Sequence, residues 1–192
     1  MIDASDCLIN PTKNKNLISK KKFMKRLLSL LPVFMLLTAI TACAQNAKPS
    51  PAASTEFKAG AATIKINYSA PSVKGREIWG KLVPLGQVWR TGANEATTFE
   101  TDQDVKIEGQ TLPKGKYSLF TIPNKDEWVI IFNKNAGQWG AFSYKEGDDA
   151  LRVSVRPGLA NSFNEVMKIE GRADGSTSIL WEKIEVIFTV SQ

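Results

Sequence analysis

Ala62-Thr63-Ile64-Lys65-Ile66-Asn67-Tyr68 is the stretch that decides the fold. Apolar residues occupy every second position, so in an extended chain Ala62, Ile64, Ile66 and Tyr68 share one face and the polar residues share the other. The same period returns in Leu151-Arg152-Val153-Ser154-Val155-Arg156, which stops at Pro157-Gly158. Working outward, strand-length runs cover Ala96–Thr101, Val105–Glu108, Lys116–Thr121, Trp128–Asn133 and Gly140–Tyr144, each bounded by Gly, Pro, Asn or Asp. Val166–Glu170, Ile179–Glu182 and Ile184–Val190 close the chain, with Ala173-Asp174-Gly175 as a turn. The best helical candidate, Arg76-Glu77-Ile78-Trp79, is one turn long and stops at Gly80. About nine strands with almost no helical period predict an all-β domain over residues 57–192. Its expected form is a single antiparallel β-sandwich of jelly-roll or Ig-like type.

Ahead of these strands the composition changes twice. Ala44 to Glu56 is rich in Ala, Pro, Ser and polar residues and has no apolar period, so residues 43–56 read as a flexible tether. Residues 1–42 read as a targeting segment: a basic run from Lys20 to Arg26, an apolar run from Leu27 to Ile40, then Thr41-Ala42 before Cys43. The apolar run has the length of a signal-peptide core and falls short of the ~20 residues of a membrane-spanning helix. Ile40-Thr41-Ala42-Cys43 resembles a bacterial lipobox, in which the cysteine is lipidated and becomes the mature amino terminus. A lipoprotein is expected here in preference to an ordinary signal peptide or an uncleaved anchor. Met24 opens a signal of ordinary length and is the expected start. A membrane is then the first expected partner, through a lipid on Cys43. Ala44-Gln45 after that cysteine, with no acidic cluster, favours retention in the cell envelope facing the periplasm.

Charge narrows the function classes. The formal net charge of +6 divides unevenly, with +5 on residues 1–42 and +1 on the remainder, where eighteen Lys/Arg meet seventeen Asp/Glu. A nearly neutral domain gives no reason to expect a nucleic-acid partner. The chain has no histidine, which removes His-based acid–base catalysis, Ser-His-Asp and Cys-His nucleophiles, and the usual zinc and copper sites. With Cys7 ahead of Met24 and Cys43 lipidated, no cysteine is left for a disulfide or a thiolate nucleophile. No cofactor fingerprint is present, and no cofactor or metal is expected.

The densest chemistry lies in Trp89-Arg90-Thr91-Gly92-Ala93-Asn94-Glu95-Ala96-Thr97. Together with the preceding residues from Gly80, this run resembles the bacterial "domain of unknown function 2911" family. Leu112-Pro113-Lys114-Gly115-Lys116-Tyr117-Ser118-Leu119 with Ile122-Pro123, Asp149-Ala150-Leu151-Arg152-Val153 and Trp181-Glu182 carry the resemblance further, over roughly residues 60–190. It implies a β-rich, secreted or lipid-anchored bacterial protein and brings no activity with it.

Two readings of the central loop compete. As a binding site, Arg90 grips a carboxylate or phosphate, Trp89 offers a flat face to a sugar or aromatic ring, and Asn94 and Glu95 supply hydrogen bonds. As an ordered corner, Trp89 plugs the core, Arg90 pairs with Glu95 or Asp149, and Gly92 makes the bend. The loop Ser72-Val73-Lys74-Gly75-Arg76-Glu77, followed by Lys81, would form a small cationic pocket if it folded over Arg90; otherwise it is a solvated surface loop. A glycoside-type hydrolase would need facing carboxylates, for which Glu95, Glu100, Asp148 and Asp149 are available. Glu146 with Asp148 and Asp149 supplies oxygen ligands without EF-hand spacing. Lys114-Gly115-Lys116-Tyr117 lacks the phosphate-loop pattern and reads as a turn. The leading expectation is a non-catalytic binding module for a small polar, anionic or glycan ligand through Trp89, Arg90, Asn94, Glu95, Arg76 and Lys81. The alternatives are a hydrolase using Glu95 with Asp148 or Asp149, and a structural envelope protein that docks a protein partner.

Overall fold

In the computed structural model, which describes residues 50–192, the alternating runs become ten strands. These are β1 (Ala52–Ala59), β2 (Ala62–Ser69), β3 (Thr97–Thr101), β4 (Val105–Ile107), β5 (Gln110–Leu112), β6 (Gly115–Ile122), β7 (Trp128–Asn133), β8 (Asp149–Val155), β9 (Pro157–Gly171) and β10 (Ser176–Ser191). One sheet has the order β1-β2-β3-β6-β7-β8 and the other β5-β4-β10-β9, with antiparallel pairing throughout. The protein is an all-β sandwich, as the alternation predicts. Among the described residues the only helical segment is a 3-10 turn at Glu146–Asp148.

Period-2 burial builds the core. Ile64 and Ile66 of β2, Phe99 of β3, Leu119 of β6 and Ile130 and Phe132 of β7 face Ile107 of β4 and Ile179, Val186 and Phe188 of β10 in one buried cluster. The alternate residues of β6 and β7, on the opposite face, are also buried, which explains their nearly unbroken apolar runs. Phe120 and Ile131 point to the outer face and meet Ala96, Ala141 and Tyr144 in a second cluster. Residues 134–148 therefore cover that outer face, with Phe120 and Tyr144 edge to face at 5.2 Å between ring centres.

Four expectations need correction. The tether assigned to residues 43–56 is strand from Ala52 onward, paired along its length with β2 from Ala52↔Ser69 to Ala59↔Ala62. An edge strand with one solvated face needs few apolar residues, and only Phe57 and Ala59 are buried in β1. Residues 43–49 of that tether, Cys43 among them, and the targeting segment lie outside the described residues. Gly140–Tyr144 is a turn rather than a strand: Gly140 adopts φ +63°, and Phe142 is 87% exposed. Ile179–Glu182 and Ile184–Val190 are one strand, β10, interrupted where Glu182 takes φ +56° and the register against β9 shifts on either side. Pro157-Gly158 opens β9, so Arg156 alone separates a strand of one sheet from a strand of the other, and the chain turns a corner there. These changes, with the three-residue β5, bring the count to ten.

Candidate functional site: a basic cleft under one long loop

Between β2 and β3 the chain runs through residues 70–96 without a strand or helix. A connection of that length inside a sandwich is uncommon and is a usual place for a functional site. It is nonetheless tightly held. The Val73 N–H donates to the Glu165 carbonyl at 2.8 Å and the Lys74 N–H to Glu165 Oε1 at 2.8 Å, fixing the loop to β9. Ile78 and Val83 plug the core, with the Val83 N–H donating to the Ile78 carbonyl at 2.9 Å. Trp89 and Thr121 then exchange backbone hydrogen bonds at 2.7 and 2.9 Å, returning the loop to β6.

The turn after Trp89 is strained and pinned. Thr91 adopts φ +54° and Asn94 φ +57°, and a β-branched residue such as Thr91 adopts that region only when its surroundings demand it. Thr91 is fully buried; its carbonyl accepts from Thr97 Oγ1 at 2.6 Å, and its hydroxyl meets Thr121 Oγ1 at 3.2 Å. Gly92 is required here for space: a Cβ would lie 2.9 Å from the Ser69 carbonyl oxygen, at φ +156°. Asn94 Nδ2 donates to the Ser50 carbonyl at 3.3 Å and ties the turn to the chain two residues ahead of β1.

Beneath this loop four tryptophans meet. Trp79, Trp89, Trp128 and Trp181 form five ring pairs with centroids 5.1–6.4 Å apart, four edge to face and the Trp89–Trp181 pair stacked. Trp89 is 8% exposed, and its indole N–H donates to the Gly92 carbonyl at 3.2 Å. Its ring is thus a core element, which corrects the expectation of a flat open platform; a narrow part of it still reaches the cleft.

That cleft has a volume of about 290 Å³ and is bordered by Lys74, Arg76 and Arg90, with Asn94, Trp89 and Trp181. The loop does fold over Arg90 and brings three cations to one cavity. Among the described residues no Asp or Glu lines it. The Arg90 guanidinium is half-buried, and its Nε is fully buried with no hydrogen-bond partner. No carboxylate among the described residues forms an ion pair with it. Burial without compensation pushes its pKa below the ordinary arginine value. Arg76 is aimed by its own backbone: Nε donates to the Val73 carbonyl at 3.1 Å, and Nη2 donates to the Ser72 carbonyl. The Trp181 indole N–H is also buried without a partner.

Not every anticipated residue comes to this place. Arg76, Trp89, Arg90 and Asn94 line the cleft, whereas Lys81 and Glu95 do not. Lys81 is exposed on the loop, and Glu95 forms an isolated bridge with Trp139 on the segment covering the outer face. The anticipated Arg90 pairing with Glu95 or Asp149 is not among the ion pairs of the described residues, and Asp149 has partners of its own. Asp149 accepts from Asn133 Nδ2 at 2.8 Å and from the Tyr144 hydroxyl at 2.7 Å. It also faces Arg152 Nε at 3.0 Å, close enough for charge attraction though not aligned as a hydrogen bond. Glu146 holds Arg152 Nη1 at 2.7 Å. Asp148 belongs to the neighbouring 3-10 turn, its carbonyl accepting from the Lys134 N–H at 2.9 Å. Neither Asp148 nor Asp149 borders the cleft. Lys74 and Trp181 complete it; in the sequence Lys74 stands out as part of the basic Ser72–Glu77 loop, and Trp181 only within the family resemblance.

Fold and cleft together define a class: a β-sandwich in which one long, pinned loop closes a basic cavity over an aromatic floor. The chain belongs to the family described as "Protein of unknown function (DUF2911)", whose model matches residues 50–190. The match begins ahead of β1, ten residues before the resemblance seen in the sequence, and so includes the edge strand. No curated protein and no solved structure matches the chain.

Proposed function

We propose that the protein is a non-catalytic binding module whose cleft takes a small anionic ligand, on a domain lipid-anchored through Cys43 in the bacterial cell envelope. The convergence of Lys74, Arg76 and Arg90 on one cavity, with no acidic lining residue among those described, carries the reading. Like charges brought together at a protein surface repel, and sequences usually intersperse acids among them. A cavity that keeps three cations and a buried, unpartnered guanidinium nitrogen is complementary to an anion. The apolar floor of Trp89 and Trp181 suits a ligand with a compact body, such as an acidic sugar. The anchor is supported by the Ile40-Thr41-Ala42-Cys43 sequence alone. A hydrolase built on Asp149 has less support, because that carboxylate is already held by Asn133, Tyr144 and Arg152.

A thermal-shift screen of residues 50–192 against small anions, with wild type beside Arg90→Met, tests the proposal. That segment holds both hydrophobic clusters of the described residues and falls within one compact unit of the chain. A ligand at 100 times its Kd adds about 2.7 kcal/mol, roughly 5–10 °C for a domain of this size. The shift is expected in wild type and absent in Arg90→Met. A panel of phosphates, sulfates and carboxylates that leaves the wild-type melting point unchanged would remove the reading.

A further inference from the structure

We infer that the anion recognised in the cleft is a phosphate monoester. The inference rests on the anion-binding reading above and narrows it to a ligand class. A carboxylate or a phosphate diester brings one negative charge, and either would leave two of the three cations uncompensated. A phosphate monoester carries between −1.5 and −2 at neutral pH and offers three acceptor oxygens. Its donors would be of two kinds. Arg76 and Arg90 are planar forks suited to paired oxygens, and Lys74 is a compact point charge of the sort that commonly binds phosphate. The carbonyls of Ser72 and Val73 fix the Arg76 head before any ligand arrives, which lowers the ordering cost of binding.

Two sources can present this group: a soluble sugar phosphate, or a lipid headgroup. Ser50 lies on the rim of the cavity, seven positions on from Cys43 with six residues between them. Even fully extended, that length spans only ~25 Å. With the proposed lipid anchor, the cleft would work near the bilayer, where a lipid phosphomonoester is within reach.

The absence of histidine makes the class testable by pH. The charged groups around the three cations are Glu165, whose carboxylate accepts from the Lys74 N–H, and Glu77 and Glu182, which line a neighbouring cavity with Arg76. The chain has no histidine, the one side-chain type whose ordinary titration falls between pH 5.5 and pH 7.5. A change in affinity over that window therefore reports the second ionisation of the ligand, near pH 6.

Titration calorimetry of residues 50–192 with glucose 6-phosphate, glucuronate and glucose, each at pH 5.5 and pH 7.5, is the experiment. Glucose 6-phosphate should bind about fourfold more tightly at the higher pH, the ratio of its dianion fractions, and Lys74→Gln or Arg76→Gln should remove most of that gain. Glucuronate should bind more weakly and without pH dependence. If glucuronate binds as well as the phosphate, or the phosphate shows no pH response, the monoester assignment fails while the anion site stands. If neither anion binds the folded protein, both fail. Co-sedimentation with phosphatidylcholine vesicles containing phosphatidic acid or phosphatidylglycerol then separates the sources. Retention on phosphatidic acid alone, lost in Lys74→Gln, assigns the lipid; hexose phosphate binding without retention assigns a soluble ligand.

Discussion

Arg90 is an expensive residue for a small domain to keep. Its charge is half-buried, its Nε has no partner, and burial holds its pKa down, so folding works against the charged form. The side chain stays protonated at neutral pH, because a guanidinium in a protein is effectively always charged. The penalty is therefore constant across ordinary pH, with no titration in that range to relieve it. Arg90→Met keeps the volume and removes the charge; in ligand-free protein it should melt at the wild-type temperature or a few degrees above it. A clear loss of melting temperature in that variant would make Arg90 a structural residue. The sequence grouped Arg90 with Asn94 on one polar run and brought Arg76 to them only on the condition that a second run folded over Arg90; both runs belong to the one long connection of residues 70–96. It misplaced Lys81 and Glu95 because loop side chains have no period to follow. Their directions depend on left-handed residues such as Thr91 and Asn94, which no local pattern announces.

At the scale of elements, the turn-rich segment 134–148 is fastened by a small polar latch. Tyr144 donates to Asp149 at 2.7 Å and accepts from Arg152 Nη2 at 3.0 Å, while its ring covers Phe120. Burial, followed by the bond to the Asp149 carboxylate, pushes the phenol up to about 12. The folded value lies above that of an unfolded tyrosine, near 10, so the contribution is complete below pH 10 and is lost as pH rises towards 12. Chemical denaturation at pH 9, 10.5 and 11.5 should show stability falling over that interval. Tyr144→Phe should flatten part of the slope and cost ~1 kcal/mol at pH 7 through the lost hydrogen bonds. Tyr117, also raised by burial, would supply the remainder. An unchanged slope in Tyr144→Phe would show that the latch does not form. Strands such as β2 and β8 were legible because one face alternates cleanly against the core. Ala52-Ala53-Ser54-Thr55-Glu56 hid the start of β1 because an outermost strand draws its pairing from backbone groups, which composition does not report. Gly140–Tyr144 misled in the opposite direction: Ala141 and Tyr144 serve the outer cover, and Phe142 is left in solvent.

For the whole molecule, the practical boundary of the domain lies ahead of Ala52. A chain beginning at Phe57 would lose five strand residues, the Asn94–Ser50 bond and the pairing along the Lys65–Ser69 end of β2. It should melt several degrees below the chain that begins at Ser50, a cost of ~2 kcal/mol, and expose a free sheet edge prone to association. Equal melting points and equal solubility would return those residues to the tether. The two sheets need only the one-residue corner at Arg156 to pass from one to the other, so the sandwich closes without a long linker on that side. The aromatic floor of the cleft has a further consequence, an optical one. Four of the five tryptophans are close enough to share excitation, and Trp139 is the fifth, on the outer cover. Light absorbed by any ring of the group will migrate among its neighbours before it is emitted. Trp89 and Trp181, at the cavity wall, thus allow whatever enters the cleft to quench or shift the emission of the whole group. The protein carries its own fluorescent reporter, and occupancy can be followed without a label.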